Sequence, residues 1–364
     1  MAEAALIFVV PGSLDQRTGG TRYDRRIICE LRKTGRTVAV VELPGSFPFC
    51  DRVAMQAAQA ALAKFPDGAT VVIDGLALPA FAPVLLAHRA RLSLIALVHH
   101  PLARESGLPR LARQQLFDSE RDLLRHVAKV IVTSPATAKM LHLYDVDAGR
   151  IAVVRPGTDP VFQTSRPKRG TVRLLCVASL VARKGHSALI AALAACAPLD
   201  WRLDCLGALD RDPAVTAAVR SHIHRYGLDG RIRLLGEADD LALTAAYRAA
   251  DVFVLASALE GYGMAFAEAL AHGLPVVGSG AGAVRETVPK PAGLIVPVGD
   301  VAALAGALAR IIANTALRAM LAKGAAAAAA NLPDWPMAAR RFAAALARAG
   351  ADVAIDYRSM DFAQ

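Results

Sequence analysis

Twelve short apolar runs punctuate the chain, with amphipathic helical stretches between them. Six runs, at 5–10, 37–42, 70–74, 92–98, 130–133 and 151–154, precede a break at 155–171. Six more, at 172–177, 202–206, 232–235, 252–255, 275–277 and 293–296, follow it. Uninterrupted apolar strands are buried on both faces. Strands that alternate with helices, such as 23–33 and 215–226 here, build parallel sheets covered by helices on each side. Two such series predict an α/β chain of two doubly wound domains. The break, RPGTDPVFQTSRPKRGT, holds three prolines and two glycines and neither periodicity, as a connection between domains does.

Length and composition fit that plan. At about 150 residues per domain, 364 residues make two domains. A chain 54% hydrophobic and 20% charged is too apolar for disorder and supplies two cores. The net charge of +10 is spread evenly over the two halves, with no basic arm, which argues against a nucleic-acid partner. A diffuse positive field suits anionic ligands, either nucleotide phosphates or an anionic membrane surface. The five cysteines form no CxxC and read as reduced, buried thiols, the pattern of a cytoplasmic protein. The sequence begins with an acid where a signal peptide needs bases. The uncharged stretch 75–87 carries two prolines and is shorter than the about 20 residues of a spanning helix. No transmembrane segment is expected.

The most informative stretch runs from Glu260 through Gly261, Tyr262, Gly263, Met264, Ala265, Phe266 and Ala267 to Glu268, then continues ALAHGLPVV. It follows an apolar strand, so it starts at the carboxyl edge of a sheet, where open α/β sheets bind ligands. Gly261 and Gly263 allow a tight turn against a ligand, and a helix starting near Met264 would aim its N–H groups at a phosphate. Glu260 precedes that helix and Glu268 lies just over one turn inside it. An ordinary strand–turn–helix with two surface glutamates is the bland alternative.

These residues resemble the retaining GT-B glycosyltransferases of group 4, the glycosyltransferase group 1 family. That family's signature is two glutamates with seven residues between them, in an E-G-[FY]-G context followed by E-A-x-A-x-G-x-P-V-V. The resemblance covers the C-terminal half and, more faintly, the N-terminal half. It implies two Rossmann-like domains facing a cleft: 1–165 on the acceptor side, 166–335 on the nucleotide-sugar side, and 336–364 with a helix crossing back to the first. By resemblance, Glu268 binds the ribose hydroxyls of the donor. Glu260 contacts the sugar ring and stabilises positive charge at the anomeric carbon by electrostatics, not as a glycosidase acid or base.

Three further stretches carry smaller parts of the resemblance. In VASLVARKGH, Lys184 matches the lysine that neutralises the donor diphosphate. Ser179 stands where the family has arginine, and Arg183 is the candidate replacement. Gly278 to Glu286 resembles the G-G-x-P-E loop, with Gly282 matching its first glycine, Ala283 replacing its second, and Glu286 either functional or a helix-start acid. In the N-terminal half, Gly12 after the first strand and Gly19-Gly20 at the first helix resemble a diphosphate or acceptor loop. His99 ends the fourth strand where the family has a histidine near the sugar, while His100 beside it can point into the core. A strand-end histidine also reads as a satisfied polar group. Pro156 to Asp159, with Phe162, resembles a hinge motif.

No cofactor and no metal are expected. Asp210-Arg211-Asp212 looks like a DxD, but it lies far along the second domain in a loop before a helix, and His222 and His224 have no ligand partners nearby in sequence. The implied donor is a nucleotide sugar, with a UDP-sugar favoured over a GDP-sugar. The basic stretch 104–129, with Leu108, Leu111, Leu116, Phe117, Leu123 and Leu124, suits an anionic inner membrane face, though a helix packing its leucines on the sheet would look the same. A lipid or lipid-linked acceptor is the working expectation. A polysaccharide or soluble metabolite stays open, as do, from other classes, a nucleotide-sugar epimerase and a non-catalytic nucleotide-sugar binding module.

Overall fold

The protein is described from a computed structural model covering residues 5–161 and 170–347. The expected boundary at 165/166, Phe162 and the end of the chain beyond 347 lie outside the described residues. Two six-stranded parallel sheets carry the fold. The first is ordered β2-β1-β3-β4-β5-β6, from β1 (Leu6–Pro11), β2 (Val38–Leu43), β3 (Thr70–Asp74), β4 (Ser93–Val98), β5 (Lys129–Val132) and β6 (Ile151–Val153). The second is ordered β12-β11-β10-β7-β8-β9, from β7 (Val172–Val177), β8 (Trp201–Leu206), β9 (Ile232–Gly236), β10 (Val252–Glu260), β11 (Val276–Gly282) and β12 (Gly293–Val296). The twelve apolar runs are thus the twelve strands, and the expected α/β class of two doubly wound parallel sheets is what the chain adopts.

In each sheet the strand order reverses once, between β1 and β3 in the first and between β7 and β10 in the second. Helices must leave the sheet in opposite directions at such a point, which opens a crevice at the carboxyl ends of the strands. Both crevices are used here. Apolar side chains fill the layers on either side: Ile7, Val9, Val71 and Ile73 point into one cluster, while Phe8, Val72, Ile95 and Leu97 point into another on the opposite face.

Two strands run further than their apolar runs. β10 continues past Leu255 to Glu260 with a register irregularity between Ala256 and Leu259, after which Leu259 and Glu260 regain partners at Ala281 and Gly282. The glycine-rich segment 278–282, expected as a loop, is therefore strand: its small residues let β11 lie flat against the end of β10.

The helix Trp335–Ala347 seats Trp335, Ala338 and Phe342 beside Phe8, Tyr23 and Ile27 of the first sheet's layer, with the Phe8 and Phe342 rings 5.6 Å apart. Lys129 Nζ donates to the Ala345 carbonyl at 2.9 Å. In the basic stretch 104–129, the helix Arg110–Arg125 buries Leu116, Leu123 and Leu124 and leaves Leu111 at 79% exposure. Leu116, Leu123 and Leu124 thus pack inward, while Leu111 faces outward. Among the described residues no single helix is long and apolar enough to cross a membrane.

Candidate active site

A cavity of about 830 Å³ opens between the two sheets, and both crevices drain into it. On the second sheet's side, Glu260 is the last residue of β10 and is almost fully buried. Its Oε1 accepts from Lys184 Nζ and from the Ser257 hydroxyl, both at 2.6 Å, and Arg183 Nη1 lies 3.7 Å from Oε2. Burial alone would raise this carboxyl. The charges of Lys184 and Arg183 outweigh it and hold Glu260 below the usual carboxylate range. Lys184 reaches this position because Gly185, at φ +67°, turns the chain between the residue 182–184 turn and the helix His186–Ala194. A Cβ at Gly185 would collide with the Ala256 carbonyl of β10.

Glu268 sits in the second turn of the helix Met264–Ala271. It receives the Tyr247 hydroxyl at 2.9 Å on Oε2 and, across the cavity, Arg22 Nη1 at 2.8 Å on Oε1. Burial raises its pKa, and Arg22 offsets that only in part. Arg22 belongs to the helix Gly19–Lys33 of the first sheet's layer, so this pair bridges the two halves. Arg183 makes a second bridge, donating through Nε to Glu105 at 3.0 Å and through Nη1 to the Leu259 carbonyl at 2.8 Å. Arg211 Nη1 to Gln16 Oε1 at 2.9 Å makes a third. Glu105 lies well below the usual range at about 2, because His100 and Arg183 overcome its burial.

On the first sheet's side, His99 follows β4, and its Nε2 lies 3.2 Å from Asp74 Oδ2 and 3.3 Å from Asp24 Oδ1. Asp74 ends β3; Asp24 comes from the helix Gly19–Lys33; both are buried. The His99 carbonyl accepts the Thr133 hydroxyl at 3.2 Å and abuts Gly261, where a Cβ would collide with it. Gly261 is thus the contact point of the two halves beside Glu260, and the adjoining Gly261 carbonyl accepts the Thr137 hydroxyl at 3.2 Å.

Of the sequence candidates, Glu260, Lys184, Arg183, His99, Glu268, Ser179, Gly261, Tyr262, Gly263, Met264, Gly19 and Gly20 all line this one cavity. Gly12 and Gly282 do not: Gly12 packs against the Gln16 side chain, and Gly282 backs the Glu260 carbonyl. Glu286 accepts from Ala136 N at 3.3 Å, at the seam between the halves. His100 does not enter the core; it lines the cavity with Nε2 3.3 Å from Glu105. Asp212 caps the helix Pro213–Arg225, accepting from Val215 N at 3.0 Å, which accounts for half of the apparent DxD.

The residues that sequence reasoning missed are Arg22, Asp24, Asp74, Glu105, Tyr247 and Ser257. Only Asp74 left a signal, as a lone acid closing the apolar run TVVID. Metal-binding side-chain types gather in two places among the described residues. Cys176, His186 and Cys205 are closed inside the second core, with Sγ of Cys176 3.7 Å from His186 Nε2. At the cavity, His99 Nε2 lies 3.2 Å from Asp74, whose carboxyl is held below its ordinary value and so accepts, and the nitrogen carries its proton there and offers no lone pair.

Comparisons with known proteins agree on a family and a fold. The sequence model described as Glycosyltransferase Family 4 matches residues 17–162, and that described as Glycosyl transferases group 1 matches residues 171–314. A D-inositol 3-phosphate glycosyltransferase of Corynebacterium efficiens is 31% identical over 249 residues, 64% of this chain and 57% of its own length. A phosphatidyl-myo-inositol mannosyltransferase of Mycobacterium leprae is 40% identical over 115 residues, 31% of this chain and 30% of its own. The matched stretch thus spans little more than half of the inositol-phosphate relative. In fold, the chain is similar to a sucrose-phosphate synthase from Thermosynechococcus elongatus, with a TM-score of 0.78 at 22% identity over 94% of this chain and 98% of that one. It is also similar to Anabaena HepE in complex with UDP-glucose, with a TM-score of 0.74 at 22% identity over 95% and 100%.

Proposed function

The chain belongs to the family-4 glycosyltransferases of the GT-B fold, one family model matching each half, and from that premise we propose that it transfers a hexose from a nucleotide sugar to an acceptor hydroxyl with retention of configuration and without a metal ion. The observation that carries this reading is the convergence of Lys184, Arg183, Glu260 and Glu268 on one cavity, opposite His99. Lys184 and Arg183 supply the positive charge that a departing diphosphate needs, in a partly enclosed cavity where such charge counts more than in open water. Glu260, held ionised by those same cations, faces the sugar and stabilises the positive charge that develops at the anomeric carbon. Glu268 takes the ribose hydroxyls.

The reaction then proceeds on one face of the sugar. The bond from the anomeric carbon to the diphosphate oxygen breaks with its electron pair, the acceptor oxygen bonds to that carbon, and the acceptor's proton passes to the departing diphosphate. UDP is the favoured nucleotide, in keeping with the UDP-glucose complex of the similar HepE. The acceptor is a phosphorylated polyol of the inositol type, free or borne on a lipid. Relatives named for both forms support this, as do Arg17 and Arg25 on the first sheet's side of the cavity.

Thermal stabilisation by a panel of nucleotide sugars in EDTA tests the reading. A donor at about 100 times its dissociation constant adds roughly 2.7 kcal/mol, and the shift should vanish in Glu268→Ala. Transfer to inositol phosphate in EDTA, with the anomeric configuration of the product read by NMR, tests the rest. An inverted product, or activity that requires added divalent metal, overturns it.

A further inference from the structure

Beneath the cavity, Asp24 is fully buried, and neither of its carboxylate oxygens makes a directed hydrogen bond among the described residues. The group it faces is His99 Nε2 at 3.3 Å, which Asp74 shares at 3.2 Å. An uncompensated buried carboxylate is costly, and two of them around one ring nitrogen more so, unless the ring is a cation. The other groups against His99 supply no alternative positive charge. Tyr23 presents its ring at 5.4 Å, Gly20 faces the Cδ2–Nε2 edge so closely that an added Cβ would come within 3.2 Å of Cδ2, Thr133 bonds the backbone, and the neighbouring His100 is turned to Glu105. Nδ1 makes no hydrogen bond among the described residues and is not one of their buried unpartnered atoms, so it is the ring nitrogen left for the cavity that His99 lines.

We propose that Asp24 is a positioning residue that, with Asp74, clamps the His99 ring as an imidazolium through Nε2, so that His99 serves a bound substrate as a hydrogen-bond donor through Nδ1 and not as the base that takes the acceptor's proton. The titration of the cluster agrees with its geometry. Burial would lower His99, but the bonds and charges of Asp24 and then Asp74 raise it to about 10. Burial and the neighbouring Asp74 push Asp24 up to about 7, while His99 draws Asp74 below its ordinary value. Asp74 thus stays ionised beside a ring that keeps its proton, and Asp24 titrates near neutrality. The second half of the proposal rests on the glycosyltransferase reading; the first does not.

The test is ring NMR of histidine-labelled full-length protein, with the His99 signals assigned by their loss in His99→Gln. In the wild type His99 should remain imidazolium from pH 6 to 9. Asp24→Asn should lower its midpoint by at least about one unit, a tenfold loss of proton affinity, and Asp24→Glu should restore most of it. A wild-type midpoint near the ordinary value overturns the clamp by itself, whether or not the variants fold, and so does a midpoint unmoved in a folded Asp24→Asn. In the kinetic arm, kcat/KM of Asp24→Asn should gain an alkaline fall at the pH where NMR shows His99 losing its proton. A rise there would make His99 a base and overturn the donor role. If no variant or wild type transfers sugar, the function proposed above fails while the NMR result stands.

Discussion

The two walls of the cavity are built differently. On the second sheet's side, Lys184, Glu260 and Glu268 come from two strand–turn–helix junctions, each contiguous in sequence. On the first sheet's side, Asp24, Asp74 and His99 come from a helix, the end of β3 and the end of β4, separated by 50 and 25 residues along the chain. A local wall is specified by a motif. An assembled wall is specified only by the strand order that brings β1, β3 and β4 side by side. The difference predicts that substitutions in the local wall strike chemistry directly, whereas those in the assembled wall act through position and protonation.

The largest effect is expected at Lys184. Its Nζ is 2.6 Å from Glu260 and is the cation nearest that carboxylate. Lys184→Ala removes a preorganised charge aimed at the leaving group, which is worth about 10²–10³ in kcat. It also leaves Glu260 buried beside Arg183 alone. Steady-state kinetics should show the loss in kcat with a smaller change in donor KM. A loss confined to KM would mean that Lys184 only binds.

The next effect lies at the seam. Gly261→Ala places a Cβ against the His99 carbonyl, so either the two halves part or the turn after β10 shifts. Displacing reacting groups by about 1 Å can cost 10²-fold, so kcat should fall by roughly 10- to 100-fold while nucleotide affinity, held within the second half, changes less. Gly263→Ala is the sharpening control, because at Gly263, with φ +85°, an added Cβ would meet first the Phe266 ring and Glu260 of its own half. Equal losses of donor affinity in both variants would erase the distinction between seam and turn.

How much of this could be read from sequence follows the same division. The strands, the two-sheet plan and Lys184, Glu260 and Glu268 were legible, because hydrophobic runs and local motifs are short-range signals. The extra length of β10 and β11 was not, because pairing of Glu260 with Gly282 is a tertiary event that no local apolar run announces. Asp24 was invisible for a related reason: in the helix Gly19–Lys33 it stands among Arg22, Arg25 and Arg26 and looks like one more surface charge. Only the packing of that helix over β4 turns Asp24 inward. Arg22 was missed likewise, since a pair with Glu268 across the cavity exists only once the halves have met.

The smallest effect tests whether the local wall is self-sufficient. Glu268 is held from its own side by the Tyr247 hydroxyl and from the opposite side by Arg22. Tyr247 is buried and stacks on His272 at 4.7 Å, so Tyr247→Phe keeps the packing and deletes one hydrogen bond. A single such bond to a charged acceptor contributes about 1.5–3 kcal/mol at most, and here Arg22 still orients the carboxylate. Donor affinity by calorimetry should therefore weaken by about threefold to tenfold, below that range, with kcat unchanged. If the loss instead matches that of Glu268→Ala, Tyr247 alone orients the ribose-binding carboxylate and Arg22 is only a bridge between the halves. If Tyr247→Phe is silent and Arg22→Ala weakens the donor, even this site depends on the assembled wall.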